Sequence, residues 1–296
     1  MRSWAAPGRT SLLWRGNAID GAAIISADDR LADDLATEAG RRLLNLRERG
    51  GDADTLRRHG DRQSHEFLAA ELARLRPGDA VLSEEGRDDP VRLSSARVWI
   101  VDPLDGTREF GEPGRSDWAV HVALWEQGTL TAGAVALPAQ GKVLSTATAV
   151  PQPVPSGPAA SPGPPLPSRS AESPARTGGA GPLRLVVSRS RPPEFVQRLA
   201  DLIGAQLLPL GSAGAKAAAV ICGDADAYVH SGGQYEWDSA APVAVATAAG
   251  LHASRIDGAQ LTYNQAHPWM PDILICQAAL ASMLLGAISS AQHRQE

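Results

Sequence analysis

Leucine and alanine recur at helical spacing in DDRLADDLATEAGRRLLNLRER (residues 28–49), where Leu31, Leu35, Ala39, Leu43 and Leu46 form one stripe. Acidic residues precede the stripe and arginines close it, the order a helix dipole favours. The pattern predicts a helix there and a second one over DRQSHEFLAAELARLRP (61–77), stopped by Pro77-Gly78. Asp61 then opens the second helix, where a carboxylate serves as an ordinary N-cap. Short apolar runs follow in AVLSEE (80–85) and RVWIV (97–101), read as strands, the first ending on a carboxylate pair and the second at Asp102. DWAVHVALWEQGTLTAGAVALPAQGKVLSTAT (117–148) alternates and breaks at Gln127-Gly128 and Gln140-Gly141, predicting three antiparallel strands.

Periodicity stops in residues 151–182, which hold 10 of the chain's 22 prolines among Gly, Ser and Ala. Such a segment cannot bury enough apolar surface to offset its ordering, so it is expected to be a disordered insertion. Beyond it, strand and helix patterns alternate: LRLVVS, PPEFVQRLADLIG, AQLLPLG, SAGAKAAAVICG, ADAYVH, EWDSAAPVAVATAAG, DILICQ and AALASMLLGAISSAQ. Alternation of this kind predicts an α/β layer. The expected organisation is a poorly ordered extension over 1–27, an α+β part over 28–150, the insertion, and an α/β part over 183–296.

Composition narrows the function classes. A net charge of -5 and 4% aromatic residues argue against a nucleic-acid polymer as partner. No apolar run reaches the ~18 residues of a membrane span. The two cysteines, Cys222 and Cys276, lack metal-ligand or redox spacing and suit a reducing cytoplasm. His59, His65, His121, His252 and His267 show no ligand spacing either, and His230 reads as a strand-end residue.

The chemistry concentrates in carboxylates. In WIVDPLDGTREF a strand runs into Asp102 and Asp105, separated by Pro103-Leu104 and followed by Gly106-Thr107. Magnesium takes oxygen ligands, and the Leu104 carbonyl could join two aspartates aimed at one spot. A helical turn opening at Gly106 and Thr107 would offer unpaired N–H groups to phosphate. The same residues would also serve as a plain turn and N-cap. Glu84-Glu85 at a strand end and Asp238 at a helix start are further candidates, each with its own surface or capping explanation.

Taken together, VLSEE, WIVDPLDGT and YEWDSAAP, in that order, resemble the inositol monophosphatase superfamily of magnesium-dependent, lithium-sensitive phosphatases. AVLSEEG, DWAVHVALW, AVALPAQG and GSAGAKAAAVI are similar to its branch of adenosine 3′,5′-bisphosphate phosphatases in their actinobacterial form. The resemblance implies a layered αβαβα sandwich, α+β and α/β in its two parts, and two or three Mg²⁺ ions. It implies Glu84, Asp102 and the Leu104 carbonyl at one ion, and Asp102, Asp105 and Asp238 at a second. Asp61, Thr107 and Glu84 would position and activate the attacking water. The family's Thr-x-x-Asp is replaced here, however, by RRHGDRQS.

A bisphosphate needs anion contacts beyond the metals. Ser188 and Arg189 after a strand, and Ser212 and Lys216 at a glycine-rich turn, resemble the family's phosphate and nucleotide elements; Asp105, Gly106, Thr107 and Asp238 complete the expected substrate set. Arginine suits bidentate phosphate binding and lysine acts as a point charge. Tyr235 and Trp237 could border a base or simply pack. The expected activity is hydrolysis of the 3′-phosphate of adenosine 3′,5′-bisphosphate, or of its sulfated form, in sulfate assimilation. Inositol 1-phosphate and fructose 1,6-bisphosphate are the alternative substrates, and a low-turnover phosphate-binding regulator is the alternative class. Superfamily analogy implies a homodimer.

Overall fold

The computed structural model describes residues 25–149, 181–190 and 192–293. The expected extension over 1–27 falls outside these but for its last three residues, and the expected insertion over 151–182 falls outside but for its last two.

The N-terminal part has helices α1 (Ala27–Glu48) and α2 (Ala53–Leu75) and strands β1 (Ala80–Ser83), β2 (Arg97–Asp105), β3 (Ala119–Glu126), β4 (Thr129–Leu137) and β5 (Lys142–Ser145). The five strands form one sheet in sequence order, with β1 parallel to β2 and the rest antiparallel. A short helix α3 (Thr107–Gly111) follows β2.

In the C-terminal part lie β6 (Arg184–Ser188), α4 (Glu194–Ile203), β7 (Gln206–Leu210), α5 (Ala213–Ile221), β8 (Ala227–Tyr235), α6 (Glu236–Ala248), β9 (His252–Ser254), β10 (Trp269–Cys276) and α7 (Ala281–His293). Its sheet runs β7-β6-β8-β10-β9, parallel through β8 and antiparallel at β10 and β9.

Three apolar clusters stack these elements into five layers. Leu31, Leu35, Ala39 and Leu43 of α1 and Leu68 and Leu72 of α2 pack on Trp99, Val101, Val120, Val122 and Leu124. Val98, Ile100 and Ala123 on the opposite face meet α5 and α6, which also cover Tyr228, Ile273 and Ile275 of the second sheet. Leu185, Val187, Val229 and Leu274 face outward to Phe195 and Leu199 of α4 and Leu284 and Ile288 of α7. Both faces of each sheet are therefore covered, which explains why RVWIV reads as a continuous apolar run. The αβαβα expectation stands.

Two boundaries differ from the sequence reading. Helix α2 begins at Ala53, capped by Asp52, whose Oδ1 accepts the Thr55 N–H at 2.9 Å. Its buried stripe is Leu56, Gly60, Ser64, Leu68 and Leu72; glycine and serine interrupt the apolar signal. Asp61 therefore lies two turns inside the helix and is not its cap. Strand β2 likewise does not end at Asp102 but runs on through Asp105.

Among the described residues, no helix is long and apolar enough to cross a membrane.

Candidate active site

Asp102 stands opposite His121, and Asp105 stands opposite Ala119, so three steps along β2 match two along β3. The extra residue is a β-bulge at Pro103-Leu104, where a proline costs no ladder bond. On a regular strand, side chains three apart point to opposite faces. The bulge cancels one step, so both aspartates face the middle layer with Val98, Ile100 and Ala119. The sequence expectation of a turn is corrected here: an interrupted strand, not a corner at its end, aims the pair. Helix α2 secures the bulge from the other side, with Ser64 donating to the Pro103 carbonyl at 2.7 Å.

Asp238 is the third residue of α6, and its Oδ2 accepts the Tyr235 N–H at 2.6 Å. It meets the pair from the second sheet's side. One oxygen from each of Asp102, Asp105 and Asp238 lies within 4.8 Å of the others. Glu84, in the turn after β1, stands close enough for its charge to act on Asp102.

These carboxylates do not share one electrostatic situation. Asp102 is 1% exposed, and its Oδ1 accepts the Leu104 N–H at 3.0 Å. Burial, then the charges of Glu84, Asp105 and Asp238, push its pKa well above the usual range. Asp238 is pushed up to about 6 by burial and by Asp105. Glu84 is exposed as a residue, but protein around its carboxyl, together with Asp238, pushes it up to about 7.

Asp105 goes the other way. Burial alone would raise it, yet His121, Lys216 and the Gly214 N–H together hold it below the usual range. Its oxygens accept the N–H groups of Ala213 at 3.2 Å and Gly214 at 2.6 Å, at the start of α5. His121, fully buried, places Nε2 3.2 Å from Asp105 Oδ2, while its Nδ1–H donates to the Trp237 carbonyl at 3.0 Å. Burial would lower the imidazole pKa, and Asp105 outweighs it.

The donor set fits a hard divalent cation. It is all oxygen, and among the described residues no arginine, lysine or histidine is in ion-pair contact with Asp102. Buried carboxylates this close need a positive charge or a proton to coexist.

Beside the cluster, Gly106 adopts φ +84°, a left-handed conformation that turns the chain from β2 into α3. The Thr107 hydroxyl lies 3.1 Å from both Asp61 Oδ1 and the Leu104 carbonyl. Asp61 is pushed up to about 6 by its burial, against the opposing Thr107 bond and with a further push from Glu85. Asp61 thus reaches the site from inside α2, despite the atypical residues before it.

A cleft of about 860 Å³ opens between the two parts. Glu84, Asp105, Gly106 and Thr107 line it from one side, and Ser188, Ser212, Lys216 and Asp238 from the other. Asp61, Asp102 and Leu104 stand behind this lining. Arg189 is not on it: the guanidinium is held by Glu109 at 2.6 Å and Glu112 at 3.1 Å. Ser212 caps α5 by accepting the Ala215 N–H at 2.9 Å. Lys216 is 4% exposed and donates to the Gly211 carbonyl at 2.6 Å, with its ammonium 5.4 Å from the Tyr228 ring. Among the described residues no carboxylate is in ion-pair contact with that ammonium, and burial lowers its pKa.

Sequence reasoning passed over His121. The available signal was a lone imidazole on a strand face, flanked there by Ala119 and Ala123, small residues that leave room for a packed helix.

The chain has counterparts among known proteins. The chain is 51% identical over 261 residues to the 3′-phosphoadenosine 5′-phosphate phosphatase of Mycobacterium bovis, a match covering 86% of this chain and 90% of that one. It superimposes on CysQ from Bacteroides thetaiotaomicron with a TM-score of 0.66 and 26% identity, covering 86% of this chain and 98% of that one. Inositol monophosphatase II of Staphylococcus aureus MSSA476 shares the fold, with a TM-score of 0.68 at 21% identity over 86% of this chain and 93% of that one. The profile of the Inositol monophosphatase family matches residues 20–293, and the chain belongs to that family.

Proposed function

We propose that the protein is a magnesium-dependent phosphatase that hydrolyses the 3′-phosphate of 3′-phosphoadenosine 5′-phosphate, giving AMP and inorganic phosphate. The observation that carries this reading is the group of Asp102, Asp105 and Asp238 beside an 860 Å³ cleft, in a chain half identical to phosphatases of that name. The cleft volume falls in the range of small-molecule sites, about 300–1,000 Å³.

In this reading Glu84, Asp102, the Leu104 carbonyl, Asp105 and Asp238 hold two or three Mg²⁺ ions. When bound, such ions neutralise phosphate charge and lower the pKa of a coordinated water. The chain's own residues do the remaining work. Thr107, donating to Asp61, keeps a lone pair for the attacking water, and Asp61 is the carboxylate that takes the proton through it. A group with a pKa of about 6 remains ionised at neutral pH and still has basicity to accept a proton. Gly106 and Ser212 border the phosphate, and the Lys216 ammonium supplies charge against it. Ser188, on the far wall of the cleft, would contact a second phosphate. Arg189 would join only by leaving Glu109 and Glu112.

Removal of this nucleotide relieves sulfotransfer and sulfate reduction, placing the enzyme in sulfate assimilation in a reducing cytoplasm, where Cys222 and Cys276 remain thiols. A phosphate-release panel tests the proposal. With Mg²⁺, 3′-phosphoadenosine 5′-phosphate should be turned over faster than inositol 1-phosphate or fructose 1,6-bisphosphate, and Li⁺ or EDTA should suppress it. Preference for inositol phosphate would overturn the substrate assignment; binding without turnover of any substrate would favour a regulator.

A further inference from the structure

Apart from the carboxylate floor, the same cleft carries an aromatic rim that the hydrolytic chemistry does not use. Tyr235 and Trp269 are 46% and 55% exposed, the only largely exposed aromatic rings among the described residues, and both line the cleft. Exposing two large rings beside one polar cleft, in a chain with only 13 aromatic residues, asks for an explanation.

The rim is built rather than incidental. Tyr235 ends β8 and Trp269 begins β10, and they are cross-strand partners, so both side chains leave the same face of the sheet. Tyr235 is backed by Trp237, the rings stacked with centroids 4.7 Å apart and planes 8° apart. Trp269 is backed by main chain: a Cβ on Gly233 would come within 2.5 Å of its Nε1 and 3.0 Å of Cε2. Gly233 has φ +91°, which suits glycine, so the strand gives up a side chain where the indole lies. Each ring is thus supported on one side and open on the other. Such surfaces bind flat π-systems, with little preference among bases.

We propose that Trp269 and Tyr235 form a stacking platform for the substrate's nucleobase and set the preference for nucleotides over sugar or polyol phosphates. This rests on the phosphatase reading for its reaction, though not for the platform's ability to bind a base.

The test uses the Mg²⁺-loaded enzyme and compares kcat/KM for 3′-phosphoadenosine 5′-phosphate with that for glycerol 2-phosphate, which has no ring. Trp269→Leu and Tyr235→Leu should each lower that ratio by about tenfold or more, chiefly through KM for the nucleotide, and Trp269→Phe should retain most of it. An unchanged ratio in both leucine variants would overturn the proposal. A second readout is independent of turnover: AMP should quench tryptophan fluorescence in the wild type, with weaker binding in both leucine variants. If the wild type fails to hydrolyse the nucleotide, the activity assignment falls while this titration still decides the platform. Absence of saturable quenching, or equal AMP affinity in the leucine variants, sinks the platform.

Discussion

His121 supports Asp105 from behind, with Nε2 3.2 Å from the carboxylate and Nδ1–H tied to the Trp237 backbone one residue before Asp238. A single ring on β3 therefore sets the orientation of one proposed ligand and braces the segment carrying another. Partners of this kind are worth about 10–100-fold in metal affinity or activity. His121→Ala should accordingly raise the Mg²⁺ concentration for half-maximal activity, with His121→Asn restoring part of the loss. An unaltered magnesium titration would show that the ring only fills space.

Asp102 and Asp105, three residues apart, should respond oppositely to amidation in metal-free protein. The raised pKa of Asp102 means that its ionised form costs stability above the unfolded value near 4. Asp102→Asn should therefore raise Tm in EDTA at pH 7, with the gain fading as pH falls to about 4. Asp105 has a depressed pKa and accepts two N–H bonds, so its stabilisation is present above the unfolded pKa and is lost as pH falls through the folded one. Asp105→Asn turns an amide group toward donors and should cost about 1–3 kcal/mol at pH 7. Both variants should be inactive. Thermal melts with the same sign would contradict the assigned environments.

In the proposed reaction Asp61 would link rate and stability through one carboxyl. With a pKa of about 6, the activity of the wild type should fall on the acid side near that pH, because the protonated form cannot accept a proton. Asp61→Asn should lower kcat by about 10²–10⁴-fold. It should also raise Tm at pH 7, with the gain lost only below about pH 3, where the wild-type carboxyl is neutral in both states. A variant with full kcat would remove Asp61 from the reaction.

Gly214, at the start of α5, packs against the imidazole that supports Asp105. A Cβ there would sit 2.3 Å from His121 Nε2 and 2.8 Å from the Ala119 Cβ. Gly214→Ala should destabilise by about 1–3 kcal/mol through overpacking. Combined with His121→Ala, the loss should be less than additive, because one of the two clashes disappears. Strict additivity in chemical denaturation would mean that the helix shifts as a whole.

Local chemistry was legible in the sequence and parity was not. Asp102, Asp105 and Asp238 stand out because each sits in a short, unusual run of residues, and the layer order follows from alternating strands and helices. What orients Asp102 and Asp105 together is the bulge, and its register depends on β3, where Asp105 meets Ala119 and Asp102 meets His121, residues well downstream in the chain. The first turns of α2 escaped because their buried stripe is only Leu56 and Gly60, with Ser64 next along it. Serine is there to hold the bulge, a tertiary requirement with no periodic signature. Arg189 reads as a phosphate contact only while Glu109 and Glu112, some 80 residues earlier, are left out of the account.

Asp238 rides on α6, which is wedged between the sheets so closely that a Cβ on Gly133 would fall 2.6 Å from Ala244. Repositioning that carboxylate would shear an apolar layer shared by both halves of the molecule. The floor of the cleft is thereby a fixed template, and accommodation of differently shaped esters is left to its margin: the solvent-facing turn bearing Glu84 and the unbacked faces of two rings.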